Sequence, residues 1–497
     1  MTKDLAQRSE TAKRFGKRKI DWKRIALIFL GIGLFCIVNF SPPWGDAVDP
    51  QGKHFELTQQ GKGALAIFLL AGIWWVFEVV PIGVTSIAIG VLQALFLIRP
   101  ADVAFGNFMD PSVWFIIGSI VIGMAFAKTG LTQRMAYRML LLVGERTSMI
   151  YLGSFVMTSA LTLIMAHTAV AAAVYPLLMA IYGLYAEDNK PTRFGKGLFM
   201  GMAFVAGAGS IITLLGAARG AVAIGFFKDV VGREVGFFEL SWYMFPVGVV
   251  MTFILWGFFM VVYKPEKKTI PGLRERVKPM AQDLGPMSVT EGLTLLIVFS
   301  SILVMSMRSF IPALAPINKS AIILITTILF FLFRVLNIRD LEEIPWNIVL
   351  LFGGAMSIGF CLWETGAAKW LAINWLVLFQ NAHWLIFVMA ISFFVMMMTN
   401  FIMNVAAIAI SLPVALVIAP YLGVAPEVIL FSSLVVAGMP FLLLVGAAPN
   451  AIAYESKQFT SGEFFVVGIP ASIILLIVLC IVIVVLWPIM GMPILTG

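Results

Sequence analysis

Long apolar runs separated by short polar breaks dominate the chain. Runs of the roughly 20 residues that a helix needs to cross a bilayer lie near 25–41, 64–79, 82–98, 112–128, 197–227, 242–263, 291–307, 319–336, 346–363, 427–453 and 464–489. Two further stretches are too long for one span. Thr147–Ala186 runs 40 residues and Trp370–Pro426 runs 57 without an Asp, Glu, Lys or Arg. Each holds a polar residue near its middle, His167 or Asn404, and reads as two antiparallel arms joined at a polar tip. The pattern predicts an all-α polytopic membrane protein with about 11 spanning helices and two hairpins.

The two halves of the chain repeat each other. Gly118, Gly123, Thr129, Gly130 and Ala136 match Gly354, Gly359, Thr365, Gly366 and Ala372 at an offset of 236. His167 and Pro176 match Asn404 and Pro413 at 237, and Leu215–Gly220 matches Val445–Asn450 at 230. Small residues recur by chance in membrane helices, so the shared order carries the argument rather than any one match. Five spans separate the two hairpin stretches, an odd number, so the repeats should lie in opposite senses across the membrane. Inverted repeats with polar or broken segments at equivalent places point to a secondary transporter with its site at the repeat interface.

Composition and charge sharpen this. Hydrophobic residues make up 61% and charged residues 12% of the 497, about half the charged share of a soluble domain; mean hydropathy is +0.99. A soluble enzyme, a nucleic-acid binder, a disulfide scaffold and a disordered chain are all excluded as readings. The net charge of +8 comes largely from two clusters, nine Lys/Arg within 1–24 and six between Lys264 and Lys278. Basic clusters beside apolar spans mark the cytoplasmic side. They predict a basic cytoplasmic N-terminus (1–24), a first half (25–263), a cytoplasmic linker (264–290) and a second half (291–497), in the cell's cytoplasmic membrane. The apolar run Ile25–Val38 is followed by Asn39-Phe40-Ser41-Pro42-Pro43, not by a small-residue cleavage site, so it reads as a retained span. Cys36, Cys361 and Cys480 show no metal spacing and read as buried small hydrophobes.

Candidate chemistry sits at equivalent points of the halves. The tips are Ala166-His167-Thr168 and Met403-Asn404-Val405, each preceded by a hydroxyl, Thr162 or Thr399. Inside the long spans 197–227 and 427–453 lie Gly216-Ala217-Ala218-Arg219-Gly220 and Gly446-Ala447-Ala448-Pro449-Asn450. Gly220 loosens a helix and Pro449 removes a donor, which predicts unwinding there. Helix starts exposed by such breaks carry partial positive charge and suit an anion. Arg219 is costly at membrane depth, about 2.5–3.5 kcal/mol on insertion scales, so it should face a cavity or a partner. No sequence pattern for a resident metal, a cofactor or a catalytic pair occurs.

Trp74-Trp75-Val76-Phe77-Glu78-Val79-Val80-Pro81, the two tips and the two Gly-Ala-Ala steps together resemble the divalent anion–sodium symporter family, the INDY-type di- and tricarboxylate carriers. The resemblance covers roughly residues 25–490. It implies re-entrant hairpins at 148–186 and 382–422, broken helices at 197–227 and 427–453, a final helix at 464–489, a homodimer and an elevator-type motion. It also implies that the tips and breaks bind dicarboxylate: Ala166, His167, Thr168, Gly216, Ala217 and Arg219 in the first half, and Met403, Asn404, Val405, Gly446, Ala447, Pro449 and Asn450 in the second. The family's paired Ser-Asn-Thr motifs surround sodium, yet here the first keeps only Thr168 and the second only Asn404. Arg219 stands where the family's first half has a Pro. A cation and a guanidinium a few Å apart in low dielectric repel by several kcal/mol. The chain is therefore expected to be most like a sodium-independent exchanger of C4/C5 dicarboxylates; the alternative is a sodium- or proton-coupled symporter, with His167 titrating.

Overall fold

The computed structural model of the chain describes residues 21–48, 53–186, 190–376, 382–401 and 403–496. Residues 1–20 of the basic N-terminal segment lie outside the described residues. Helices stand over all eleven predicted runs: Trp22–Phe40, Gln59–Val76, Ile82–Leu95, Pro111–Thr129, the pair Arg193–Gly209 and Ala218–Val231, Phe237–Val262, Val289–Met307, Lys319–Leu332, Trp346–Glu364, the pair Pro426–Ala437 and Ala448–Tyr454, and Ser461–Ile481, which continues through a π-helical stretch to Ile489. The hairpins are Thr147–Leu161 with His167–Tyr185, and Trp384–Phe401 with Asn404–Ile418. Hydropathy does not separate arms from spans, since His167–Tyr185, Trp384–Phe401 and Asn404–Leu422 are themselves long and apolar enough to cross. The protein is an all-α polytopic membrane protein, with one small antiparallel ribbon among the described residues, pairing Ala47 with Phe55 and Val48 with His54.

Burial sorts the helices into two groups. Peripheral helices expose apolar side chains at three- and four-residue spacing: Leu296, Phe299 and Leu303, or Ile473, Ile477 and Ile481. In water such stripes would be a liability; against acyl chains they cost nothing. Asn404–Ile418 is buried along its whole length and Arg193–Gly209 almost so, as a helix surrounded by protein must be. Arg193–Gly209 of the first broken helix and Asn404–Ile418 of the second hairpin therefore lie at the centre. Cys36, expected to be buried, is exposed on the apolar surface of the first helix, whereas Cys361 is buried.

The repeat is visible in backbone angles. Pro111–Thr129 and Trp346–Glu364 are each followed by a glycine in the left-handed region, Gly130 (φ 80°) and Gly366 (φ 75°), where an L side chain would be strained. The hairpin tips turn into their second arms through Ala166 (φ −59°, ψ 135°) and Met403 (φ −57°, ψ 139°). The second pieces of the broken helices begin after Ala217 (φ −163°, ψ 143°) and Ala447 (φ −153°, ψ 148°).

Two expectations are corrected. The breaks lie upstream of the predicted points, at 210–217 and 438–447. Gly220 and Pro449 sit in the first turns of the following helices instead. Proline lacks a donor that a first-turn residue does not use, so it starts this helix rather than ending one. The 264–290 segment also contains a helix, Leu273–Asp283, which buries Leu273 and Val277 and packs against the amphipathic helix Leu131–Val143. Its charges and Pro279 hide that short apolar spacing.

Polar contacts fasten the first hairpin at its base. Tyr185 donates to Glu266 (2.8 Å), which also accepts from the backbone N–H groups of Arg193 (2.5 Å) and Phe194 (3.2 Å). Burial acts to raise the Glu266 pKa, but the hydrogen bonds it accepts outweigh burial and hold it below the usual carboxylate range. Arg134 makes a bidentate pair with Glu291 (2.8 and 3.0 Å) and caps the carbonyls of Leu284, Gly285 and Pro286. Removing one partner strands the other charge, which typically costs about 3–5 kcal/mol when both are buried. Arg134→Ala should accordingly lower the thermal midpoint of the detergent-solubilised protein strongly, and Arg134→Ala with Glu291→Leu should recover part of the loss. An unchanged midpoint in the single variant would remove this pair from the stabilising contacts.

Candidate functional site

Each hairpin tip reaches the non-helical segment of its own broken helix. In the first half, the His167 backbone N–H donates to the Gly216 carbonyl at 2.9 Å, and His167 Nδ1 lies 3.2 Å from the same oxygen. With Nδ1 protonated, the ring donates to this carbonyl, which can only accept. The neutral ring then offers a lone pair at Nε2, and the imidazolium offers a second donor. Thr213 donates to the Leu163 carbonyl (2.8 Å), and Ser119, from Pro111–Thr129, donates to the Leu215 carbonyl (3.0 Å). Gly216 and Gly446 permit the close approach in both halves: an added Cβ would lie 2.7 Å from the Thr162 carbonyl oxygen or 2.9 Å from that of Thr399.

The second break is held by amides. Asn400 accepts from the backbone N–H groups of Leu442 (2.7 Å) and Leu443 (3.3 Å). Asn450 donates to the carbonyls of Pro440 (2.8 Å) and Leu443 (3.1 Å), and Thr399 donates to that of Ala437 (3.3 Å). The first break has a cation in the corresponding region. Arg219 is 2% exposed, and its Nη2 donates to the Ser210 hydroxyl at 2.8 Å. Its Nη1 is buried without a hydrogen-bond partner, and no ion pair of Arg219 occurs among the described residues. The guanidinium also touches the other half, since a Cβ on Gly438 would meet Nη2 at 2.8 Å.

The tips and the restarting helices converge on one cavity of about 520 Å³, within the range of about 300–1,000 Å³ usual for small-molecule sites. Ala166, His167, Thr168, Ala217, Met403, Asn404 and Val405, all expected at the site, line it. Gly216, Arg219, Gly446, Ala447, Pro449 and Asn450 do not; they stand behind the wall, in or next to the breaks. Ala217 forms part of both this cavity and the small hollow containing Arg219. Four helices begin at the cavity, at His167, Ala218, Asn404 and Ala448. The His167 N–H is already given to Gly216 and Pro449 has none, but the dipoles and the remaining first-turn N–H groups that lack an intrahelical acceptor favour negative charge there.

Sequence reasoning missed the outer wall, formed by Pro111–Thr129 and Trp346–Glu364 through residues such as Ser119, Gly123, Ile348 and Phe352. In the sequence Gly123 stands out only as a match to Gly359 in the repeat. Glu343, at an exposed rim, carried no signal in the sequence because it lies among other charges in a loop.

A family model described as the sodium:sulfate symporter transmembrane region matches residues 47–493. Among known proteins, the chain is 24% identical over 455 residues to a sodium-dependent dicarboxylate transporter, SdcS, of Staphylococcus saprophyticus, covering 87% of each chain. It is 26% identical over 449 residues to SdcS of Staphylococcus aureus, covering 85% of this chain and 86% of that one. Among solved structures, Neisseria gonorrhoeae MtrF, described as illuminating a class of antimetabolite efflux pumps, aligns with a TM-score of 0.59 at 13% identity, over 95% of this chain and 96% of that one. That likeness concerns the fold alone.

The second break generates a prediction. Asn400→Ala leaves two part-buried N–H groups without this acceptor, at up to about 1–3 kcal/mol each where water does not replace it. A clear drop in thermal midpoint is expected, whereas Asn374→Ala, on an exposed helix surface, should leave the midpoint unchanged. Equal midpoints for the two variants would mean that Asn400 does not hold the break.

Proposed function

The chain belongs to the sodium:sulfate symporter transmembrane family, and from that premise we propose that it carries C4/C5 dicarboxylates across the cytoplasmic membrane. One observation supports this most directly: four helix starts, with His167, Thr168 and Asn404, border a single cavity at the meeting point of two repeats. Such an arrangement solvates an anion with fixed donors. A two-carboxylate substrate suits it because the donors come in two sets, one from each half. The names of the relatives support the same substrate class. The N-terminus then faces the cytoplasm, and transport proceeds by an elevator-like motion in a homodimer.

For the coupling, the geometry around Arg219 favours sodium-independent exchange. Its charge is buried one residue behind the cavity wall, in the region where the family resemblance implies a sodium ion. A sodium ion leaves with its substrate, but Arg219 cannot. The empty carrier would have to move an uncompensated cation through the membrane, whereas in the loaded one a substrate carboxylate compensates the guanidinium. This favours obligate exchange. The names of the staphylococcal relatives favour a second reading, sodium-coupled symport. His167, able to donate from both ring nitrogens only when protonated, keeps a proton-coupled version of that reading in view.

In proteoliposomes, labelled succinate or 2-oxoglutarate should enter only against internal dicarboxylate, at rates unaffected when choline replaces sodium. Strong sodium stimulation, or net uptake into empty vesicles, would replace exchange with symport; proton coupling would show as pH-gradient-driven uptake lost in His167→Ala. Arg219→Gln should abolish exchange or convert it to net uptake while expression persists. Normal exchange in that variant would return Arg219 to a structural role. Asn404→Ala should weaken substrate binding by about 1.5–3 kcal/mol, roughly ten- to hundredfold, as read by the concentration that half-saturates counterflow. An unchanged half-saturation would mean that the second tip does not touch substrate.

A further inference from the structure

We propose that the groove between the first hairpin and the 264–290 linker is the route by which the anion reaches the central cavity, and that Arg276 draws it in. The proposal rests on the dicarboxylate reading. The groove, about 690 Å³, lies between His167–Tyr185, Leu131–Val143 and the linker helix Leu273–Asp283. Its walls share Ala127 and Ala173 with the central cavity, so the two hollows adjoin. One face of the hairpin arm runs through both: Ala169 and Ala173 in the cavity, then Pro176, Ala180 and Leu184 in the groove. From His167 to Leu184 that helix rises roughly 25 Å, enough to lead from the tip to the protein surface on the side of the basic linker.

The charges along this route suit an anion. Arg276, exposed on the linker helix, lines the groove, and no ion pair of Arg276 occurs among the described residues. Among the described residues the groove lining contains no Asp or Glu; its other polar side chains are Thr132, Gln133 and Tyr137. Arg274 and Lys278, on the same helix, line a separate hollow together with Glu145 and Glu275, where carboxylates offset them. Glu343, at the exposed rim of the central cavity, has the opposite sign and repels a dianion from that opening. A cation at one opening and an anion at the other bias a dicarboxylate towards the groove, by the focusing that raises local anion concentration at charged clefts.

Counterflow measured at low ionic strength, with substrate on the linker side, tests the steering. Arg276→Glu should raise KM roughly three- to tenfold with the maximal rate unchanged, and the difference should shrink at high salt, where screening shortens the reach of a surface charge to about 3 Å. Arg276→Lys should behave as wild type. Glu343→Gln should lower KM, and Arg274→Glu should leave it unchanged. Wild-type KM in Arg276→Glu, or an equal rise in Arg274→Glu, would overturn the assignment. A second measurement does not depend on the substrate. With Cys36, Cys361 and Cys480 replaced by serine, Ala180→Cys should react with a membrane-impermeant thiol reagent from the linker side only. An anionic reagent should react faster than a cationic one of the same size, and Arg276→Glu should reverse that order. Absence of labelling would sink the route. Labelling as expected in a protein that moves no dicarboxylate would retain the route and sink the substrate reading.

Discussion

Irregular backbone at the centre of an apolar fold must find hydrogen-bond partners inside the protein, and the structure is arranged around that requirement. Residues 210–217 and 438–447 leave the α-helix, and irregular backbone at membrane depth must be buried in protein or line a wet cavity. Hairpin tips are brought in to supply partners, and glycine at positions 216 and 446 lets them come close enough. Arg193–Gly209 and Asn404–Ile418, which adjoin these segments, are buried almost throughout, while helices such as Val289–Met307 and Ser461–Ile481 carry exposed apolar stripes. Once the breaks are satisfied, the helices that restart after them and after the tips point their first turns into a common cavity. The anion-binding character follows from the solution to the backbone problem.

The two halves solve it with different chemistry. The second break is clamped by neutral amides, Asn400 and Asn450, whose donors and acceptors match backbone partners. The first uses hydroxyls and one guanidinium, Arg219, which also contacts the second half at Gly438. Amides leave the electrostatics of the cavity to the helix dipoles. A buried guanidinium adds a whole positive charge that cannot dissociate. In a carrier, that difference bears on which ions must travel with the substrate.

Much of the fold was legible because bilayer thickness sets the length of an apolar run and a repeat leaves matched small residues. The tips were legible for a related reason: His167 and Asn404 were polar residues centred in stretches that otherwise exclude charge. The breaks were misplaced by a few residues, because Pro449 and Gly220 look like helix breakers, whereas one begins a helix and the other sits in its first turn. The linker helix was missed because two buried residues, Leu273 and Val277, are too few to register among charges.

The sequence by itself determined that this chain lives in a membrane, that it is built twice over, and which residues occupy the two tips. These follow from hydropathy and spacing, which are local properties. Only the tertiary structure decided that Ser119, Gly123 and Phe352 complete the cavity wall, that Arg219 and Asn450 stand behind it, and that Ala127 and Ala173 join it to a groove ending at Arg276. Those relations depend on which faces of distant helices meet. Helices surrounded by apolar neighbours on every side carry no amphipathic stripe from which the facing could have been read.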